Sequence, residues 1–305
     1  MINEFVPPGM INEFVPPGHF YSVIPNITDT YNNANPKFLD LDFNDKNHLY
    51  ILNDLKNNLE DFCNLFCPLN NNASTVLQRK NELKYSLMNG SFEWMDARIL
   101  YYFLKKNKPK KIIEIGSGNS TLLMYNTKKR FNLDLEIICI EPYPEESTDI
   151  TSDHNWLRIL ANKGEITLID KKLENVDVEL FRELGENDIL FIDSTHVAKL
   201  DSDVMYYFTK IFPLLNTGVM VHIHDIFFPY DYSLDWLKEG RFWNEQYLLY
   251  VFLQFNTKFV IQFCNSYALY KFKDKLKDIQ KNSYEFKNKI VNDVFGGGSI
   301  WLKVY

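Results

Sequence analysis

Lys110-Lys-Ile-Ile-Glu114-Ile-Gly116-Ser-Gly118-Asn-Ser120-Thr121 decides how this chain is read. Ile112, Ile113 and Ile115 form an apolar strand core that runs straight into Gly116-x-Gly118, and the residues from Ser120 to Tyr125 suit a helix. A strand, a glycine turn and a helix start therefore follow one another. The first glycine permits a tight turn, the second lets a ligand approach the backbone, and the unpaired N–H groups of the helix start attract a negatively charged group. The stretch points to a nucleotide-like cofactor.

A dinucleotide fingerprint asks for a third glycine where Thr121 stands. Glu114, two residues ahead of the first glycine, suits a cationic amino group better than a pyrophosphate. A second apolar strand, Leu135 to Ile140, ends at Glu141, where a carboxylate can accept both hydroxyls of a ribose. Glu114, Gly116, Ser117, Gly118, Ser120, Thr121 and Glu141 thus read as a site for S-adenosylmethionine (SAM). An NAD-dependent oxidoreductase shares the glycine turn and the second acid and stays open at this point, as does a non-catalytic partner protein of the same fold.

The rest of the composition bounds the answer. With 305 residues, 46% hydrophobic and 24% charged, the chain has the make-up of a soluble globular protein. A net charge of -7 argues against a general nucleic-acid or anionic-membrane binder. The basic run Lys105 to Lys111 sits just before the first strand and reads as a solvated loop. No apolar run has transmembrane length and the start lacks a signal-peptide layout, which points to a cytoplasmic protein. Cys63, Cys67, Cys139 and Cys264 form neither a zinc nor a disulfide pattern and read as thiols.

The chain opens on a tandem nonapeptide, residues 1–9 repeated at 10–18, which is too short and too exact for a structural repeat and reads as a duplicated start. The expected division is an N-terminal arm over 1–18, an extended and helical cap over 19–106, and a cofactor-binding domain over 107–305. The aromatic segment from His19 to Pro25 is expected to be extended and packed on the core. Apolar spacing predicts helices over 46–67 and 92–105. Strands are expected at 111–115, 135–140, 165–169, 188–193, 217–223, 258–263 and 298–305, the last a reversed edge strand. Strands alternating with helices mean an α/β, doubly wound parallel sheet.

Two later strands end in chemistry. Asp188-Ile-Leu-Phe-Ile-Asp193-Ser-Thr-His196 and Val219-Met-Val-His222-Ile-His224-Asp225 each finish in carboxylates and imidazoles. In a parallel sheet both ends would face the ligand crevice, bringing Asp193, His196, His224 and Asp225 together as catalytic candidates, with Asp193 also against the cofactor. His222 lies deeper and reads as a core histidine. His196 and His224 are candidates for the base that takes the proton from a methyl acceptor. Asp193, Asp225 and His224 could instead hold a divalent cation such as Mg2+. Phe227 to Tyr232 with Trp236 read as an aromatic loop over the strand ends, and Asn244, Glu245 and Gln246 as candidates for polar contacts.

With these motifs the chain resembles the class I SAM-dependent methyltransferases, closest to a bacterial subgroup related to the small-molecule O-methyltransferases of the catechol type. The resemblance runs over most of the chain. It includes Val15-Pro-Pro-Gly-His-Phe-Tyr-Ser22, Glu114-Ile-Gly-Ser-Gly118, Asp188 to Asp193, His222 to Phe227, Trp243-Asn-Glu-Gln-Tyr247 and Gly298-Ser-Ile-Trp301. It implies a Rossmann-like seven-stranded sheet in the order 3-2-1-4-5-7-6 with strand 7 antiparallel. It also implies SAM held by Glu114, Gly116, Gly118 and Glu141, and a small polar acceptor, sugar-like or other, methylated on oxygen. Two departures are visible: Lys172 stands where an acid would meet the adenine, with Asp170 and Glu174 nearby, and Ile226 stands where the catechol type has a metal-binding Asn.

Overall fold

The computed structural model describes residues 14–27, 35–66, 82–144, 156–281 and 295–305. The first copy of the nonapeptide, residues 10–13 of the second, and Cys67 lie outside the described residues.

The sheet positions everything else. Its strands are β1 (Lys111–Ile115), β2 (Glu136–Ile140), β3 (Thr167–Ile169), β4 (Ile189–Ile192), β5 (Met220–His224), β6 (Phe259–Cys264) and β7 (Ser299–Val304). They run in the order β3-β2-β1-β4-β5-β7-β6. The pairs among β1 to β5 are parallel, and β7 is antiparallel to both β5 and β6. All seven overlap the stretches where the sequence places them; β7 is reversed as expected, but it lies between β5 and β6, so the strand at that edge is β6 and not the last one.

Successive strand residues point to opposite faces, so two apolar sets are needed if both faces are covered. Ile112, Ile137, Ile189 and Met220 enter one buried cluster, while Ile113, Ile138, Leu190 and Val221 enter the other. The first face is covered by α1 (Asp45–Phe66), α2 (Trp94–Asn107), α3 (Asn119–Phe131) and α4 (Trp156–Asn162), all of which lend side chains to that cluster. The N-terminal helices therefore share a core with the sheet. The second face is covered by the helical stretch α5 (Asp203–Tyr206) with its continuation Tyr207–Ile211, and by α7 (Glu245–Gln254), which follows the short α6 (Leu234–Lys238).

One row across the sheet is not apolar. Register aligns Cys139, Glu114, Phe191, His222 and Trp301 side by side, all fully buried. The next row toward the carboxyl ends is Ile140, Ile115, Ile192, Ile223 and Ile300. Beyond it the strands stop and the ligand-facing residues begin.

The segment expected as a packed arm is turn-rich. Phe20, Tyr21 and Val23 stand exposed, with the His19 and Phe20 rings stacked on each other at 4.1 Å, not on the core. Among the described residues no helix is long and apolar enough to cross a membrane. Cys139 and Cys264 are buried thiols.

Candidate functional site

At the end of β1 the chain turns through Gly116 at φ +78°. A Cβ there would stand 1.7 Å from the carbonyl oxygen of Asp193, so β1 and β4 can close on each other only with glycine. Gly118 differs. Its φ of -163° is ordinary, and a Cβ would meet nothing within 4 Å, which leaves an open approach to the backbone.

Thr121, in the place of a third glycine, has a structural task. Its hydroxyl accepts from the Gly118 N–H at 3.2 Å and donates to Glu114, whose other oxygen takes the Ser120 hydroxyl at 2.6 Å. Glu114 is fully buried under the start of α3, tied to that helix, and is not part of the cleft wall. Burial pushes its carboxyl up to about 7, against the two hydroxyl hydrogen bonds.

The cleft itself lies outside the carboxyl ends of β1, β2, β3 and β4 and measures about 560 Å³. Glu141 forms part of its wall. One of its oxygens accepts from Tyr143 N at 2.8 Å and the other from Ser117 N at 3.2 Å, which fixes the carboxylate with lone pairs to spare. Lys172 and Glu174 line the far end, whereas Asp170 is held by Arg158 at 2.6 Å. Ser194, also on the wall, has a buried hydroxyl without a protein partner among the described residues. Asp193 closes the near end.

Asp193 is shared with a second cluster. Nε2 of His196 lies 3.5 Å from Asp193 Oδ1 and 3.5 Å from Asp225 Oδ2, and ligand atoms of Asp193, His196 and Asp225 all fall within 4.8 Å of one another. His196 and Asp225 both sit in the left-handed region, at φ +59° and +55°, which is uncommon outside glycine and typical of functional turns. The other imidazole nitrogen, Nδ1, is 2.7 Å from Glu245 Oε2.

His224 stands beside this cluster and not in it. Its Nδ1 is 3.2 Å from Ser299 Oγ and its Nε2 3.6 Å from Asp225 Oδ1. Ser299 in turn donates to the buried Asp96 of α2, which also accepts from Asn265 at 2.6 Å. The converging trio thus takes His196 where the sequence reading put His224. His222 is the core residue expected. Its ring stacks on Phe191 at 3.8 Å, Nε2 rests on Ser299 at 3.0 Å, and burial with the nearby His224 charge keeps it neutral.

Both imidazoles offered as bases sit among carboxylates. Burial works to lower the His196 pKa, but Asp193, Glu245 and Asp225 overcome it and raise it above the usual imidazole range. Burial also opposes charge on His224, and Asp193, Asp225 and Asp96 outweigh it. Burial likewise acts to raise Asp193, yet His224 and His196 bring it down to about 2. Asp225 is pushed up by burial to about 6 against the same two histidines.

Asn244 and Gln246 spend their polar groups on two loops. Asn244 Oδ1 accepts from Ala198 N at 2.6 Å, and Gln246 Oε1 accepts from Phe227 N at 3.1 Å. They brace the strand ends and do not point into an open site. Nothing in the sequence marks these pairings, because each joins residues from separate elements.

A sheet of this order with a glycine turn, a second-strand carboxylate and a cleft across the switch point defines a class I methyltransferase. The chain belongs to the methyltransferase-domain family, whose model, described as "Methyltransferase domain", matches residues 113–226. An Archaeoglobus fulgidus relative, described as "Uncharacterized protein", is 33% identical over 197 residues, covering 62% of this chain and 77% of that protein. Among solved structures, the SAH-bound methyltransferase PaMTH1 of Podospora anserina is similar at 14% identity with a TM-score of 0.43, covering 83% of this chain and 96% of that one. An O-methyltransferase from Bacillus cereus in complex with SAH is similar at 12% identity with a TM-score of 0.41, covering 69% and 90%. The strand order, not these superpositions, assigns the fold.

Proposed function

We propose that the protein is a SAM-dependent O-methyltransferase for a small hydroxylated acceptor, with a divalent cation held by Asp193, His196 and Asp225. The observation that supports this reading is the sharing of Asp193 between the cleft and the carboxylate–imidazole trio, as a cation bound beside a cofactor would need.

The residues present fit both groups. For SAM, Gly118 leaves open space at the backbone, Ser194 offers an unpartnered hydroxyl, and Glu141 presents a fixed carboxylate suited to a ribose. SAM, when bound, supplies an electrophilic methyl group on a sulfonium. For the cation, two carboxylates and one imidazole are a sufficient protein donor set, and the nitrogen donor favours Mn2+ or another transition dication over Mg2+. Such a cation lowers the pKa of a hydroxyl beside it.

The chain's own work is positioning. Gly116 holds β1 against β4 so that the cleft and the trio keep one spacing, and Glu114 ties the start of α3 to β1 through Ser120 and Thr121. Trp243 covers the His196 ring at 4.3 Å and keeps water from that side. Orientation of this kind supplies much of the rate in a methyl transfer.

The test uses SAM carrying a deuterated methyl, with MnCl2 and a pool of small hydroxylated compounds, and locates the label by mass spectrometry. Label on an oxygen supports the proposal. Label only on nitrogen, carbon or sulfur would overturn the acceptor class.

A further inference from the structure

We infer that Glu245, at the start of α7, is the positioning residue of the cation site: it fixes His196 so that Nε2, and not Nδ1, faces Asp193 and Asp225. The inference rests on the reading of Asp193, His196 and Asp225 as cation ligands.

The pairing crosses the molecule. His196 follows β4 and Glu245 opens α7, yet Glu245 Oε2 lies 2.7 Å from His196 Nδ1, and Glu245 is fully buried. A carboxylate oxygen accepts and does not donate, so the proton sits on Nδ1 and the ring has one orientation open to it. The second oxygen, Oε1, takes the hydroxyl of Tyr207, itself fully buried, so the carboxylate is held at both ends.

The backbone is gripped at the same place. Asn244 N and Glu245 N both donate to the His196 carbonyl, at 3.2 and 3.3 Å. The Asn244 side chain closes on Ala198 in both directions, accepting from its N–H at 2.6 Å and donating to its carbonyl at 3.2 Å. His196 at φ +59° is an unfavoured conformation, and the first turn of α7 is what holds it. A histidine that binds a metal through one nitrogen commonly gives its other N–H to a carboxylate, which sets the tautomer and raises ligand basicity. Glu245 has the position and the exclusion from water for that part.

The test measures MnCl2 binding by the disappearance of the free Mn2+ electron paramagnetic resonance signal, for wild type, Glu245→Gln and Tyr207→Phe, beside urea denaturation of each. Glu245→Gln should bind Mn2+ about 10- to 100-fold more weakly. Tyr207→Phe, which keeps the carboxylate but removes one of its donors, should weaken binding about 2- to 10-fold, and it serves if Glu245→Gln does not fold. A lowered urea midpoint with unchanged Mn2+ affinity in the folded variants would make Glu245 structural only and overturn the inference.

If wild type takes up no Mn2+, the cation reading itself fails, and nitrogen-15 spectra of labelled histidine in wild type decide the remainder. A slowly exchanging proton on His196 Nδ1 then supports the orientation by Glu245. A bare Nδ1 overturns it.

Discussion

Glu114→Gln isolates the cost of a buried carboxylate at the heart of the glycine turn. In the folded chain Glu114 is raised to about 7 from 4.5 by burial, with Ser120 and Thr121 opposing. Its folded pKa lies above its unfolded one, so the folded state binds more protons. The stability it contributes is fully present below the unfolded pKa and is lost as pH rises through the folded pKa. Integrating a shift from 4.5 to about 7, wild type should lose roughly 2–3 kcal/mol between pH 5 and pH 8 through this one group. Glutamine is nearly isosteric. Its carbonyl oxygen can take the Thr121 hydroxyl and its N–H can meet Ser120 Oγ, so the turn keeps both ties. Urea denaturation of the cofactor-free protein at pH 5 and pH 8 reads the difference. The stability gap between variant and wild type should move in the variant's favour by about 2–3 kcal/mol on going to pH 8. A gap that does not change with pH, in a variant that folds normally, would refute the assignment of Glu114 as a desolvated, internally tied carboxyl.

The two glycines of the turn separate folding from binding. Gly116→Ala meets the Asp193 carbonyl at 1.7 Å and a left-handed φ, and should lower stability by more than about 3 kcal/mol or abolish soluble expression. Gly118→Ala should melt within about 1 kcal/mol of wild type while SAM affinity falls at least about tenfold, read by calorimetry; equal SAM affinity would place the ligand away from the turn. Ser299→Ala removes the hydroxyl shared by Asp96, His222 and His224 and should cost about 1–3 kcal/mol in urea denaturation, with no loss pointing to a water in its place.

The fold was legible because both faces of the sheet are buried. Near-continuous runs such as Ile112 to Ile115 and Ile189 to Ile192 mark strands whatever surrounds them, and Gly116 marks the turn because no other residue fits there. The Asp193–His196 and His222–Asp225 clusters were legible as strand ends for the same reason. The roles inside them were not. Whether His196 or His224 joins the two aspartates depends on the turn at φ +59° and on Glu245, which approaches from another element. Glu114 carries no sequence sign that Ser120 and Thr121, in the first turn of the helix, would engage both its oxygens. Asn244 and Gln246 read as substrate contacts because polar residues at a helix start resemble a site, but their partners are main-chain groups of two distant loops. Alternation and turn chemistry are local; these pairings are set by the register of the sheet and the docking of α7.

In the function proposed above, the cleft beyond β1 and β2 takes SAM, with Glu141 anchoring its ribose. Isothermal titration of SAM and of S-adenosylhomocysteine into wild type and Glu141→Ala, with and without MnCl2, tests it most directly. Wild type should show one site per chain, and a normally folded Glu141→Ala should bind at least about tenfold more weakly. A well-folded wild type that binds neither compound under either condition would contradict it.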